Sequence, residues 1–411
     1  MTSPGAAGAG RGELTIFAYP WDLVIDGVEE SLRLARDLGA DRLAVAVAYH
    51  SAEVVAPRRA QHVQLTAEAN VSHFALADDF SGLALPRGRL AASHPALAGQ
   101  IGAAADAVGL KLTAWVVVCH NTGLAQQHPD AALENCFGDR SAHGLCPSNP
   151  VVRTYAAELC QQVAGIGIFD EIFIESVAFL PSGHGHPHEL WAVRDDPASR
   201  YLRSLCFCAS CLHQGSQRGI DGAQLRDFVA RTLQSTWNSP LAPARDPDPG
   251  DELSGLLVAR PDLAAWTAMR CDTVASLVED LAAIAHDRGV RLATGLGVFA
   301  RPAPLGWIEG IDPARLAPAA DRLVAMAYYA AAGAVARDLD HYSATVALDR
   351  IMLVQTLWPV HHASREVLLG KITLAKSAGV AEFGLYNLTT APAAVLDWIP
   401  SVAQTIHGCG R

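Results

Sequence analysis

The sequence predicts a (β/α)8 barrel with long insertions after its second and fourth strands. Eight short, near-continuous apolar runs alternate with longer Ala/Leu-rich amphipathic stretches over 411 residues. That is the pattern of parallel strands covered on both faces, which need not alternate polar and apolar residues. A barrel needs roughly 250 residues, and the surplus falls mostly after runs two and four, where barrel enzymes build their sites. The competing arrangement is a doubly wound open sheet. Against it, no Gly-rich phosphate loop follows an early strand: Gly295-Leu296-Gly297 lacks a third glycine and comes late.

The elements read in order as follows. Leu14–Tyr19 is a first strand, and Val28–Leu38 a helix closed by Gly39. Arg42–Tyr49 is a second strand. A long excursion leads to the helix Ala96–Val108. Lys111–Cys119 is a third strand, Asn149–Ala164 a helix, and Glu171–Glu175 a fourth strand. An interruption of about a hundred residues, 177–260 at its core, then carries a cysteine cluster. The helix Ala265–Arg288 precedes a fifth strand, Arg291–Val298. Arg322–Tyr329, Ile351–Leu357 and Glu382–Asn387 complete the set, with helices such as Glu366–Ala378 between them. The expectation is one barrel domain over residues 13–405 with an inserted loop region.

Composition narrows the function classes. Half of the residues are hydrophobic and 18% are charged, so a large core is available. A net charge of −11, with no Lys/Arg run, argues against a nucleic-acid partner. Met1–Gly12 is small and polar without an apolar signal core, and reads as a disordered leader. No apolar run reaches the roughly 18 to 20 residues of a membrane span. Nine cysteines, an odd number partly in strand-like segments, suit reduced thiols and a cytoplasmic setting. The Ala-rich outer helices would allow a homo-oligomer.

Chemistry in a barrel comes from the C-terminal ends of the strands. Those ends present Tyr19, Trp21 and Asp22; Tyr49 and His50; Cys119, His120 and Asn121; Glu175; Tyr328 and Tyr329; Gln355 and Trp358; Tyr386 and Asn387. Aromatics, imidazoles, amides and a carboxylate on one rim suit a sugar: ring faces stack on its apolar faces, and the polar groups bind its hydroxyls. Tyr49, His50, His120, Asn121, Tyr328, Gln355, Trp358, Tyr386 and Asn387 are read as substrate-binding. Glu175 is the leading catalytic candidate, because an apolar run delivers it straight to the rim and burial would raise its pKa toward that of a general acid. Asp22 is the second candidate, against the alternative of a helix cap. Asp78, Asp79, Asp338 and Asp340 read as solvated. His184, His186 and His188 form an H-x-H-x-H run in a Gly/Pro-rich loop, an ambiguous signal.

The sharpest motif is Cys206-Phe207-Cys208-Ala209-Ser210-Cys211. Three thiols at C-x-C-x-x-C spacing reach one tetrahedral ion with little backbone movement, and zinc is the usual occupant. Cys146 is the preferred fourth ligand, with Cys136, Cys160 and His213 as rivals. Four protein ligands leave no open position, so such a zinc would be structural.

Cys146 with Ser148-Asn149-Pro150 and Arg153, a fourth-strand Glu, and then C-x-C-x-x-C together resemble glycoside hydrolase family 42 over the segment Cys146–Cys211. The resemblance implies a (β/α)8 barrel, a zinc site at Cys146, Cys206, Cys208 and Cys211, and an acid/base role for Glu175. Two positions depart from that family's pattern. Ile174 rather than Asn precedes Glu175, and the seventh strand, Ile351–Trp358, ends without the family's nucleophilic Glu. Three readings therefore stand: a glycoside hydrolase pairing Glu175 with Asp22, Asp340 or a tyrosine such as Tyr328; a sugar lyase or isomerase abstracting a proton through Glu175 or His120; or a carbohydrate-binding barrel without catalysis.

Overall fold

The computed structural model describes residues 11–77, 79–184, 190, 193, 196–238, 249–297 and 302–408. Residues 1–10 of the expected leader, Asp78, His186, His188 and the end of the expected fifth strand lie outside them, while Arg11 pairs with Asp41. Eight parallel strands form the barrel: β1 Glu13–Ala18, β2 Arg42–Tyr49, β3 Lys111–Val117, β4 Glu171–Glu175, β5 Arg291–Gly295, β6 Arg322–Met326, β7 Ile351–Thr356 and β8 Glu382–Tyr386. Each pairs with the next in sequence, and β1 closes the ring against β8 through Glu13↔Glu382 to Ile16↔Leu385. The expected (β/α)8 barrel is therefore the fold. Most strands stop one to three residues short of the expected ends, because Tyr19, Cys119, Tyr329 and Asn387 already belong to loops.

Side chains on each strand split between two layers. Ile16, Val45, Val116, Ile172 and Leu353 face the surrounding helices, while Phe17, Ala46, Trp115, Phe173, Val324 and Val354 fill the barrel. The period of two explains the position of Glu175: Phe173 points inward, so the residue two further along does too. Gly384 makes room for this filling. A Cβ there would lie 2.9 Å from Val354 Cγ2 and 3.1 Å from Phe17 Cε2.

Charged residues begin seven of the eight strands around the opposite, N-terminal mouth. Arg42 Nε donates to Glu13 Oε1 at 2.9 Å. Arg322 bridges Glu171, at 3.4 Å, and Glu382. Buried charges persist only when paired, and removing one partner strands the others. Arg322→Met is thus expected to destabilise the chain by about 3 kcal/mol, read as a lowered urea midpoint; an unchanged midpoint would contradict the pairing.

The excess length stands on the C-terminal side. After β2 comes a hairpin of Glu53–Val55 and Gln64–Thr66, and Val71–Ser72 returns antiparallel to the end of β2. After β4, helices Pro197–Arg203, Ala209–Gln217, Gly222–Asn238 and Pro249–Ala259 precede the long helix Pro261–His286. A third excursion, not expected from the sequence, follows β3: a hairpin of Ala132–Glu134 and Arg140–Leu145 that ends on Cys146. Among the described residues no helix is long and apolar enough to cross a membrane.

Candidate functional site

The C-terminal mouth holds a cavity of about 430 Å³. Its floor is the barrel filling of Phe17, Phe173, Val324 and Val354, and Glu175 opens onto it. Tyr49, His50, Tyr328, Trp358, His361 and Tyr386 wall it. Glu175 is 8% exposed. Trp115, reaching across from β3, donates its indole N–H to Glu175 Oε2 at 2.6 Å. Among the described residues no cation pairs with Glu175. Burial pushes its carboxyl up to about 7, against the smaller opposing pull of the Trp115 bond. It is therefore poised to give or take a proton near neutrality. Ser176, which follows, has φ +58°, a left-handed turn that carries the chain sharply off the strand.

The Trp115 bond stabilises the ionised form, so its loss should favour the neutral one. Trp115→Phe is expected to move the Glu175 titration upward, seen as a rise in the alkaline pKa of any Glu175-dependent activity. A downward shift would contradict this hydrogen-bond assignment.

Three tyrosine hydroxyls meet beside the carboxyl. Tyr19 Oη lies 2.7 Å from Tyr386 Oη and 3.4 Å from Tyr49 Oη, and the last two are 3.3 Å apart. Burial holds all three pKa values, and that of Tyr328, above the ordinary value, so these phenols are neutral. Tyr328 stacks on Tyr386 at 5.9 Å, and Trp358 meets Tyr386 nearly edge-on at 5.7 Å. Trp358 is held by its indole N–H, which donates to Thr390 Oγ1 at 2.8 Å. The imidazoles form a second group: His50 stacks on His120 at 4.7 Å, and His120 meets His184 at 4.9 Å. Burial lowers the pKa of His50 and pulls His120 down to about 2, with the neighbouring imidazoles adding to it. Neutral rings at this rim can both accept and donate hydrogen bonds.

Not every residue expected at the site reaches the cavity. Asp22 is buried off to one side, 2.8 Å from Arg59 Nη2, and accepts the Thr389 hydroxyl. Arg59 comes from the insertion after β2, so Asp22 ties that insertion to the loop after β8. Asn121 caps the helix Thr122–Gln127 by accepting from Leu124 N at 2.9 Å. Gln355 is fully buried and donates to the Ala327 carbonyl at 2.8 Å, while Asn387 accepts from Thr389 N at 2.8 Å. One atom of each amide is engaged by a backbone group, while Gln355 Oε1 and Asn387 Nδ2 are buried without a hydrogen-bond partner among the described residues. His120 stands behind His50 rather than on the cavity wall. Asp340 is exposed on the helix Ala332–Ser343, and Asp338 is buried accepting from Tyr329 Oη and Ala303 N. Among the described residues Glu175 is the one carboxylate lining this cavity. Trp115 and His361 were not expected from the sequence. Trp115 sits mid-strand, and its one signal is a large aromatic within an otherwise aliphatic run. His361 lies in a loop with no periodicity.

Away from the cavity, Cys146, Cys206, Cys208 and Cys211 converge, all buried, with their sulfurs within 4.8 Å of one another. Cys146 Sγ is 3.6 Å from Cys211, 3.8 Å from Cys206 and 3.5 Å from Cys208. A tetrahedral ion with Zn–S bonds of about 2.3 Å sets its sulfurs about 3.8 Å apart, so the four residues fit zinc. The rivals are elsewhere: Cys160 Sγ faces the Leu281 carbonyl, and His213 is exposed beside Gln217.

No protein-family model and no curated protein matches the sequence. Solved structures do match the fold. The glycoside hydrolase domain of PgaB (BpsB) from Bordetella bronchiseptica superposes with a TM-score of 0.57 at 14% identity, over 97% of this chain and 99% of that one. The β-galactosidase of the psychrophilic Marinomonas ef1 gives 0.53 at 12% identity, over 95% of this chain and 59% of that one. The β-galactosidase of Bacillus circulans sp. alkalophilus gives 0.52 at 12%, over 97% and 56%. The chain thus spans little more than half of each β-galactosidase. At these identities the likeness establishes the barrel fold alone.

Proposed function

We propose that the chain is a carbohydrate-active enzyme, a glycoside hydrolase with Glu175 as general acid. The observation that supports it most is a buried carboxyl, without a cation partner among the described residues and pushed up to about 7, inside an aromatic cavity. A sugar ring stacks on Trp358, Tyr386 and Tyr328, and its hydroxyls meet His50, His361 and the tyrosine hydroxyls. Glu175 gives its proton to the glycosidic oxygen as the bond to the anomeric carbon breaks. Water then supplies hydroxide to that carbon, and its other proton restores Glu175. With no second carboxylate on the described lining, positive charge at the anomeric carbon is stabilised by the tyrosines or by a group of the substrate itself. The four cysteines hold one zinc ion that joins the β3 hairpin to the β4 insertion and takes no part in the reaction.

The lone carboxylate also favours a second reading, a lyase or isomerase. There the Glu175 carboxylate abstracts a carbon-bound proton and Tyr328 returns one. The test is a panel of aryl glycosides, followed by proton NMR of the products in deuterated water. Released aryl alcohol with a free sugar of defined anomer supports hydrolysis. An unsaturated product, or deuterium at a sugar carbon, supports proton abstraction. No turnover and no sugar binding would remove both.

A further inference from the structure

The cavity at Glu175 has two neighbouring cavities. His184 is a shared wall between it and a second cavity of about 410 Å³. On another side Tyr49, His50, Trp358 and Tyr386 are shared with a third, of about 430 Å³. Each is large enough for a ligand of its own. The second is walled by the β3 hairpin and by residues 180–184 and 203–206. The third is walled by Val54, Val55 and Pro57 of the β2 insertion. A site for a terminal sugar needs no further room beyond that sugar, whereas this one is flanked by two more cavities that share its wall residues.

The lining also indicates what lies there. In the second cavity Glu134 and Asp139 are balanced by Arg140 and Arg203, among the hydroxyls of Ser141 and Ser182. The third offers apolar faces beside Trp358. Among the described residues neither presents an excess of cations to a polyanion. The wall of the second cavity is bound to the four-cysteine cluster: Glu134 N donates to Cys206 Sγ at 3.4 Å, and Phe207 N to the Glu134 carbonyl at 2.7 Å.

We infer that the substrate is an uncharged oligosaccharide or polysaccharide lying through all three cavities, cut at an internal bond over Glu175. The inference rests on the carbohydrate reading above. The reaction adds water across that bond, hydroxide to the anomeric carbon and a proton to the departing oxygen. The cysteine cluster shapes one arm of this cleft.

The test measures kcat/KM and product sizes for cello-, chito- and xylo-oligosaccharides of two to six units, alongside aryl monoglycosides. Expected is a rise of about tenfold or more from dimer to hexamer, because remote subsites contribute binding energy to the transition state. The first products are internal fragments. Asp139→Trp and Val55→Trp, which fill the outer cavities, lower the hexamer-to-aryl ratio about tenfold. Aryl glycosides cleaved with no dependence on length, or monosaccharide as the sole first product, would overturn the cleft and leave the glycosidase reading standing. A preference for oligogalacturonates over neutral hexamers would overturn the uncharged assignment. Absence of both hydrolysis by the wild type and hexamer binding by Glu175→Gln would overturn the cleft and the glycosidase reading together.

Discussion

Glu175→Gln is expected to lower turnover at least about a hundredfold while leaving the fold intact. Glutamine keeps the shape of the side chain, and its amide oxygen can still accept the Trp115 indole N–H. What it lacks is the proton that leaves for the substrate. Activity that uses Glu175 as an acid should also fall as pH rises through about 7, where the wild-type carboxyl ionises. The same shift has an opposite consequence for stability. A carboxyl whose pKa is raised by folding favours the fold below its ordinary pKa of 4.5, and that contribution is lost as pH rises from about 4.5 to about 7. Above pH 7 the wild type holds a buried charge that the variant lacks. Glu175→Gln should therefore be more stable than wild type at pH 8, by up to about 3 kcal/mol, and no more stable at pH 4. Thermal unfolding at the two pH values separates the cases. Equal turnover by variant and wild type would remove Glu175 from the chemistry, and equal stabilisation at both pH values would remove its raised pKa.

The second large effect concerns the cysteine cluster. Purified protein should carry one zinc ion per chain, and Cys208→Ser or Cys146→Ser should lose it. The energy at stake is large, because metal binding at a structural site is itself folding free energy. Here Cys146 ends the β3 hairpin while Cys206, Cys208 and Cys211 sit in the β4 insertion, so the ion would clip two otherwise separate loops. Stripping it should lower Tm by about 10 °C and open the hairpin around Glu134 to proteolysis. Metal content by mass spectrometry and melting with and without added zinc would decide it. A metal-free protein of unchanged Tm would mean four packed thiols and nothing more.

The features legible in the sequence were those set by period and spacing. Glu175 could be placed because β4 is a short apolar run that ends on it, and the alternation of Phe173 and Glu175 fixes its direction. The cysteine motif was legible because three thiols within six residues have one chemistry in common. Asn121, Gln355 and Asn387 were not separable from true rim residues, since a strand-end amide looks the same whether it faces a ligand or a backbone group. Asp22 was opaque because its partner, Arg59, arrives from an insertion without periodicity. Trp115 was hidden for the converse reason: its position in mid-strand argues for filling, yet the length of the indole carries its N–H up to the layer of Glu175. The β3 hairpin escaped notice because its strands are short and neither contains a β-branched apolar run.

The most direct measurement is the titration of Glu175 itself. Carbon-13 carboxyl spectra of glutamate-labelled protein, compared between wild type and Glu175→Gln, isolate one resonance. A midpoint near pH 7 is expected, shifting when a glycoside ligand occupies the cavity. A midpoint near 4.5, or a resonance indifferent to every sugar that binds, would contradict it.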